Sequence, residues 1–124
     1  MQKRILLVDD DAQILAVLEK RLRSKNYDVI TASDGRDAVN KARAHMPDLI
    51  ILDVMMPHMD GTEAARILRD DVKTRNIPII YVTALKSDSD EMSDGMFDTN
   101  VVFGKPFNSE ELLAKVDELI MKKK

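Results

Sequence analysis

Short, nearly unbroken apolar runs alternate with amphipathic segments along the whole chain. The apolar runs cover residues 4–8, 27–32, 49–52, 79–82 and 101–103. Runs of this length without polar alternation are typical of strands that are covered on both faces. Between the runs, apolar residues recur at spacings of three and four, which predicts helices over residues 14–22, 37–45, 62–69, 87–100 and 112–120.

This alternation predicts an α/β fold, in which helices cover both faces of a doubly wound, five-stranded parallel sheet. Right-handed crossovers between parallel strands leave few topologies to consider. The chain has 124 residues, which is enough for one domain of ordinary size and too few for two. We therefore expect residues 1–124 to form a single domain with five strands and five helices.

Two of the predicted helices carry distinctive local signals. Asn108 precedes the last helix and Glu111 lies three residues later, a spacing that is typical of a capping box. The helix predicted over residues 87–100 is rich in Asp and Ser, and Gly95 in its middle costs about 1 kcal/mol relative to alanine. We expect this helix to be the least stable one.

Side chains that can do chemistry follow four of the five predicted strands. They are Asp9 and Asp10 after the first strand, Asp53 after the third, Thr83 after the fourth and Lys105 after the fifth. The carboxyl ends of strands in an open parallel sheet meet at one edge, so we expect these side chains to lie together. Three carboxylates in one crevice repel each other unless a cation joins them or one is protonated. Carboxylate oxygens suit Mg²⁺.

Each of these residues also has an ordinary structural interpretation. Asp9, Asp10 and Asp11 could form an acidic cap on the first helix, which the helix dipole favours, and for Asp11 this is the better explanation. Taken singly, Lys105 could be a surface lysine and Thr83 a strand-end hydroxyl that is satisfied locally. The joint occurrence of the residues, rather than any one of them, favours a functional site.

The motifs at these strand ends resemble those of receiver domains of two-component response regulators. The matching segments are Val8-Asp9-Asp10, Leu52-Asp53-Val54-Met55-Met56-Pro57, Met59-Asp60-Gly61, Thr83-Ala84 and Lys105-Pro106-Phe107. They occur in the family's order and at its spacing, and the resemblance covers essentially the whole chain. It implies a flavodoxin-like sheet with the strand order 2-1-3-4-5.

The resemblance also implies roles for the acidic residues. Asp53 would accept a phosphoryl group from a histidine kinase or a phosphotransfer protein. Asp10 and Asp53 would bind Mg²⁺ directly, whereas Asp9 would act mainly through water. The backbone carbonyl of Met55 would be a further ligand.

Two further roles follow from the same resemblance, together with one departure from it. Thr83 would donate its hydroxyl to a phosphoryl oxygen, and the Lys105 ammonium would offset the charge of the phosphoryl group. Receivers usually carry an aromatic residue three positions before this lysine, where this chain has Val102. Phe103 is the next residue and should point to the opposite face, because strand side chains alternate. The aromatic half of the family's usual switch is therefore missing.

Composition and charge exclude several classes of protein. The net charge of -3 gives no basic footprint for direct nucleic-acid binding. Cysteine is absent, which excludes disulfides and thiolate metal sites. Neither a signal peptide nor a membrane-spanning run is visible, so we expect a cytoplasmic protein that does not interact with membranes.

The resemblance therefore implies a signalling switch rather than an enzyme that turns over an external metabolite. The protein would catalyse only its own phosphorylation and slow dephosphorylation. It would act on a downstream protein through the face formed by the fourth helix, the fifth strand and the fifth helix. The alternative is a receiver-like interaction module that signals without phosphorylation. A haloacid-dehalogenase-like phosphohydrolase is disfavoured, because it would need an acid where this chain has Met55.

Overall fold

The computed structural model describes residues 2–53, 61–83, 102–104 and 108–122. The strands in this part of the chain are β1 (Arg4–Val8), β2 (Asp28–Ala32), β3 (Leu49–Asp53), β4 (Ile79–Thr83) and β5 (Val102–Gly104). The helices are α1 (Ala12–Ser24), α2 (Gly35–His45), α3 (Gly61–Asp70) and α4 (Ser109–Lys122). Five helices were expected and four are described. The helix predicted over residues 87–100 lies outside the described residues, so α4 corresponds to the predicted fifth helix.

All neighbouring strands pair in parallel, in the order β2-β1-β3-β4-β5. This confirms the expected order 2-1-3-4-5. The central strand β3 is buried at all of its five residues, and four of the five residues of β1 are buried. Both strands have neighbours on each side and helices on each face, which explains why their sequences lack polar alternation.

Two apolar cores lie on opposite faces of the sheet. Leu6 and Ile50 point into the core beneath α2 and α3, whereas Ile51 points into the core beneath α1 and α4. Val102 packs against the first core and Phe103 against the second, as strand alternation predicted. Truncating a buried Leu or Ile to alanine in such a core typically costs about 2–5 kcal/mol.

The helix ends are fixed by polar side chains at the expected positions. Asp11 is the N-cap of α1 and accepts from the backbone N–H of Gln13 at 2.9 Å. Asn108 accepts from the backbone N–H of Glu111 at 3.0 Å, which confirms it as the cap of α4. Asn26 follows α1 with a φ of 72°, a left-handed conformation that asparagine tolerates better than most residues. None of the described helices is long and apolar enough to cross a bilayer.

A polar cluster ties the last helix to the beginning of the sheet. The Tyr27 hydroxyl and the Lys25 ammonium both donate to the carboxylate of Asp117 on α4, the ammonium at 2.7 Å. Burial, followed by the hydrogen bond to Asp117, raises the pKa of Tyr27 above its usual value. Burial alone would raise the pKa of Asp117, but the hydrogen bonds from Lys25 and Tyr27 outweigh it and hold that pKa below its usual value. The cluster thus favours a neutral tyrosine beside an ionised carboxylate.

Removing this cluster should destabilise the fold in a pH-dependent way. We expect Asp117→Asn and Tyr27→Phe each to lower the free energy of unfolding at pH 7 by about 1 kcal/mol, because the groups are partly solvated. The pKa of Asp117 is lowered on folding, so its contribution is present above the usual carboxyl pKa of 3.8 and is lost as the pH falls below it. Urea unfolding of the wild type and Asp117→Asn at several pH values measures this.

The exposed pair of Lys115 and Glu118 on the same helix supplies the control, with its atoms 3.2 Å apart. Glu118→Gln removes the same charge from α4 without touching the cluster, and we expect it to change stability by less than about 0.5 kcal/mol. If Glu118→Gln costs as much as Asp117→Asn, net charge on the helix, rather than the cluster, accounts for the effect.

Candidate functional site

The strand register brings four strand ends to one edge of the sheet. Val8 at the end of β1 is the partner of Leu52 on β3, and Asp53 is the partner of Val82 on β4. On the far side of β4, Thr83 is the partner of Gly104. The residues that end these strands or directly follow them therefore lie side by side, at the carboxyl edge where open α/β sheets place their sites.

Three carboxylates converge at this edge. Each of Asp9, Asp10 and Asp53 offers an oxygen, and these oxygens lie within 4.8 Å of one another. Asp53 is 1% exposed and Asp9 is 3% exposed, whereas Asp10 is exposed. Asp53 is the last residue of β3, so the strand continues one residue beyond the apolar run and carries the carboxylate into the interior. The expectation that these three acids lie together is confirmed.

Backbone hydrogen bonds hold Asp9 in place between the sheet and α1. Its N–H donates to the carbonyl of Ala32 at 3.2 Å, and its Oδ1 accepts from the N–H of Asp11 at 2.9 Å. Asp11 thus has two functions, since its side chain caps α1 and its backbone orients a site carboxylate. The second function was not predicted from the sequence, although an aspartate that accepts from the N–H two residues later is a known turn pattern.

The geometry of the three acids suits a divalent cation. Carboxylates held this close repel each other strongly where two of them are shielded from water. A cation with oxygen ligands relieves that repulsion, and the three donors that the described residues bring together here are all carboxylate oxygens. Mg²⁺ typically takes one or two carboxylates, keeps several water molecules and binds phosphate oxygens, which an acidic crevice with one exposed member allows.

The other predicted site residues are placed only in part. The backbone of Thr83 ends β4, next to β3 and its terminal Asp53. Lys105 directly follows Gly104, the last residue of β5, but lies outside the described residues, as does Met55. The structure therefore brings the three acids together and places the strand ends from which Thr83 and Lys105 emerge.

Comparison with known proteins agrees with this fold and with a site at the carboxyl edge of the sheet. The family model of the response regulator receiver domain matches residues 5–117. The chain is 39% identical over 120 residues to the alkaline phosphatase synthesis transcriptional regulatory protein PhoP of Bacillus subtilis, covering 97% of this chain and 49% of that protein. It is 40% identical over 119 residues to the response regulator PleD of Caulobacter vibrioides, covering 96% of this chain and 26% of that protein. The chain thus spans half or less of the length of these relatives.

Solved structures show the same likeness over the full length. The receiver domain of the sensor histidine kinase PA1611 from Pseudomonas aeruginosa, with a magnesium ion coordinated in its active site cleft, matches at a TM-score of 0.87 and 33% identity, covering 98% of this chain and 99% of that one. Chemotaxis protein CheY4 of Vibrio cholerae matches at 0.85 and 32%, covering 96% and 99%. The sequence, the sheet order and the three acids at the carboxyl edge all agree with these relatives. The chain belongs to the response regulator receiver domain family.

Proposed function

We propose that Asp53 is the phosphoacceptor of this receiver domain and that the phosphorylation requires Mg²⁺. The observation that carries the proposal is the position of the Asp53 carboxylate, which is almost fully buried and lies within 4.8 Å of the Asp9 and Asp10 oxygens. Apolar packing alone does not explain why a carboxylate is buried beside two others. A magnesium ion in the cleft of the similar PA1611 domain supports the choice of metal.

The sheet order distinguishes Asp53 from the other two acids. β3 lies between β1, which leads into Asp9 and Asp10, and β4, which ends at Thr83. Asp53 therefore lies between the acidic side of the edge and the side from which Thr83 and Lys105 emerge. A phosphoryl group on Asp53 would therefore be held between these two sides.

The proposed reaction is an in-line transfer, in which the protein positions the reacting groups and offsets the negative charge of the phosphoryl oxygens. An oxygen of the Asp53 carboxylate forms a bond to phosphorus while the bond from phosphorus to the donor atom breaks. The electron pair of that bond leaves with the donor, which is a histidine nitrogen in a kinase or an oxygen in acetyl phosphate. The Thr83 hydroxyl and the Lys105 ammonium stabilise the phosphoryl oxygens, as electrostatic catalysis of phosphoryl transfer requires.

The residues that would hold the metal are Asp10 and Asp53 directly, Asp9 mainly through water, and Met55 through its backbone carbonyl. Mg²⁺ supplies positive charge that offsets the carboxylates and the transferring group. Because Asp10 is exposed, it leaves the metal position open to water and to an incoming phosphate. The Asp9 carboxylate is held by the Asp11 backbone and borders the metal position on its buried side.

The proposed partners follow from the reaction. A histidine kinase or a phosphotransfer protein would donate the phosphoryl group in the cytoplasm. A downstream protein would recognise β5 and α4 together with the predicted fourth helix, which lies outside the described residues. The protein would catalyse only its own phosphorylation and dephosphorylation. The second candidate is an interaction module that signals without phosphorylation, but a close set of three acids has no evident purpose in such a module.

The phosphoacceptor assignment makes a direct prediction. Incubation of the protein with acetyl phosphate and Mg²⁺ should add one phosphoryl group, measured by intact mass, and Asp53→Asn should abolish this addition because it removes the nucleophile. Chelation with EDTA should abolish it as well. Full labelling of Asp53→Asn, or equal labelling in EDTA, contradicts the assignment, and no labelling of the wild type favours the interaction module.

The chain offers a matched control for charge. Asp11→Asn removes a negative charge two residues from Asp9 but keeps the helix cap, since Asn and Asp cap helices about equally well. We expect Asp11→Asn to bind Mg²⁺ like the wild type, whereas Asp10→Asn should weaken Mg²⁺ binding by about tenfold or more, both measured by calorimetric titration. A similar loss in both variants would mean that only the net charge of the edge matters.

The lifetime of the phosphoryl group generates a separate prediction. Hydrolysis needs a water molecule in line with the breaking bond, and in the receiver arrangement the side chains two residues after the acceptor and two after the threonine flank that approach. These are Met55 and Leu85, which lie outside the described residues. Neither can orient water by a strong hydrogen bond, so we expect slow dephosphorylation.

Substitution at these two positions tests the explanation. Met55→Asn and Leu85→Glu, singly and together, should speed the loss of phosphate from the purified phosphoprotein, by about tenfold in the double variant, which corresponds to about 1.4 kcal/mol of barrier. The decay is followed by intact mass after removal of the donor. If neither substitution accelerates the decay, the lifetime is set by other residues.

A further inference from the structure

A cavity of about 280 Å³ lies beside the amino-terminal part of β4. Within the described residues, β5 begins opposite Tyr81, so no described residue of β5 pairs with Ile79. The cavity is lined both by Arg69 of α3 and by Leu119 of α4, two helices that cover opposite faces of the sheet.

The inner wall of the cavity is apolar. Ile77, Ile79 and Tyr81 alternate along the chain, line the same space and are each less than a tenth exposed. Leu119 is half-buried and closes the side towards α4. A volume of about 280 Å³ is close to the lower limit of about 300 Å³ for ligand pockets, so the space suits a body of one or two rings.

The mouth of the cavity is cationic in a chain whose net charge is -3. Arg69, near the end of α3, and Arg75, in the turn before β4, are both exposed and both line it. None of the described lining residues is acidic. A guanidinium has five N–H donors, so it can keep a contact within the protein and still donate to a bound anion. Arginine pairs are well suited to planar carboxylate, sulfonate or phosphate groups.

We propose that this cavity binds a small organic anion with a flat apolar body. The body lies against Ile79, Tyr81 and Leu119, and the anionic group lies between Arg69 and Arg75. The apolar wall excludes inorganic anions as the preferred ligand, and the two guanidinium groups disfavour neutral analogues. This function goes beyond phosphorylation and does not depend on it, because none of these residues belongs to the acidic edge.

Naphthalene-2-sulfonate is a suitable probe for the full chain. Calorimetry should detect its binding, and ¹H–¹⁵N NMR shifts should centre on residues 69, 75–81 and 119. Naphthalene-2-sulfonamide has the same body without the charge, and sulfate has the charge without the body. We expect both to bind at least about tenfold more weakly, a difference of about 1.4 kcal/mol.

Variants locate the binding to this cavity. Arg69→Gln and Arg75→Gln should each weaken sulfonate binding by about threefold or more, as loss of one charge-assisted hydrogen bond near the surface requires. Arg66→Gln removes the same charge from the same helix at a position that does not line the cavity, and it should leave binding unchanged. Labelling by acetyl phosphate in each variant shows that the fold is intact and tests the phosphoacceptor assignment separately.

Several results would overturn the proposal. One is the absence of sulfonate binding at millimolar concentration, and another is a set of NMR shifts centred on α1 or on the acidic edge. Equal weakening by Arg66→Gln and Arg75→Gln would show general charge attraction. Sedimentation of the protein without ligand tests whether a second copy of the chain occupies the cavity instead. A dimer that Leu119→Glu dissociates would show this.

Discussion

The parallel pairing of β1 with β3 determines where the three acids of the site lie. Because Val8 is the partner of Leu52, the acids that follow β1 lie beside the carboxylate that ends β3. Their oxygens are held within 4.8 Å of one another, two of the three side chains being buried. Such an arrangement is electrostatically costly without a cation. The two apolar cores on either side of these strands hold the carboxylates in place. The stability of the sheet therefore keeps the three negative charges close together, as the proposed Mg²⁺-dependent phosphorylation requires.

Features that depend on local sequence were predictable. The apolar runs that became β1 and β3 lack polar alternation because both faces of these strands are covered, and the helix caps Asp11 and Asn108 lie where their side chains were expected. The opposite orientations of Val102 and Phe103 followed from strand alternation alone. That alternation also explains why Phe103 cannot take the place of an aromatic residue at position 102 on the face of α3.

Features that depend on the meeting of distant segments were not predictable. The sheet order came from resemblance, because alternating strands and helices are compatible with several orders. The cluster of Tyr27 and Asp117 joins residues 90 positions apart, and no local pattern announces it. The cavity beside Ile79 is lined by residues of α3, β4 and α4, which lie far apart in the sequence.

Reductive trapping shows which residue carries the phosphoryl group. Borohydride reduces an aspartyl phosphate to homoserine and leaves free carboxylates unchanged, so peptide mass spectrometry after labelling with acetyl phosphate and Mg²⁺ identifies the residue that was phosphorylated. If Asp53 is the phosphoacceptor, homoserine is found at position 53 and intact aspartates at positions 9 and 10. Homoserine at position 9 or 10, or none in a protein that has gained phosphate, would contradict this assignment.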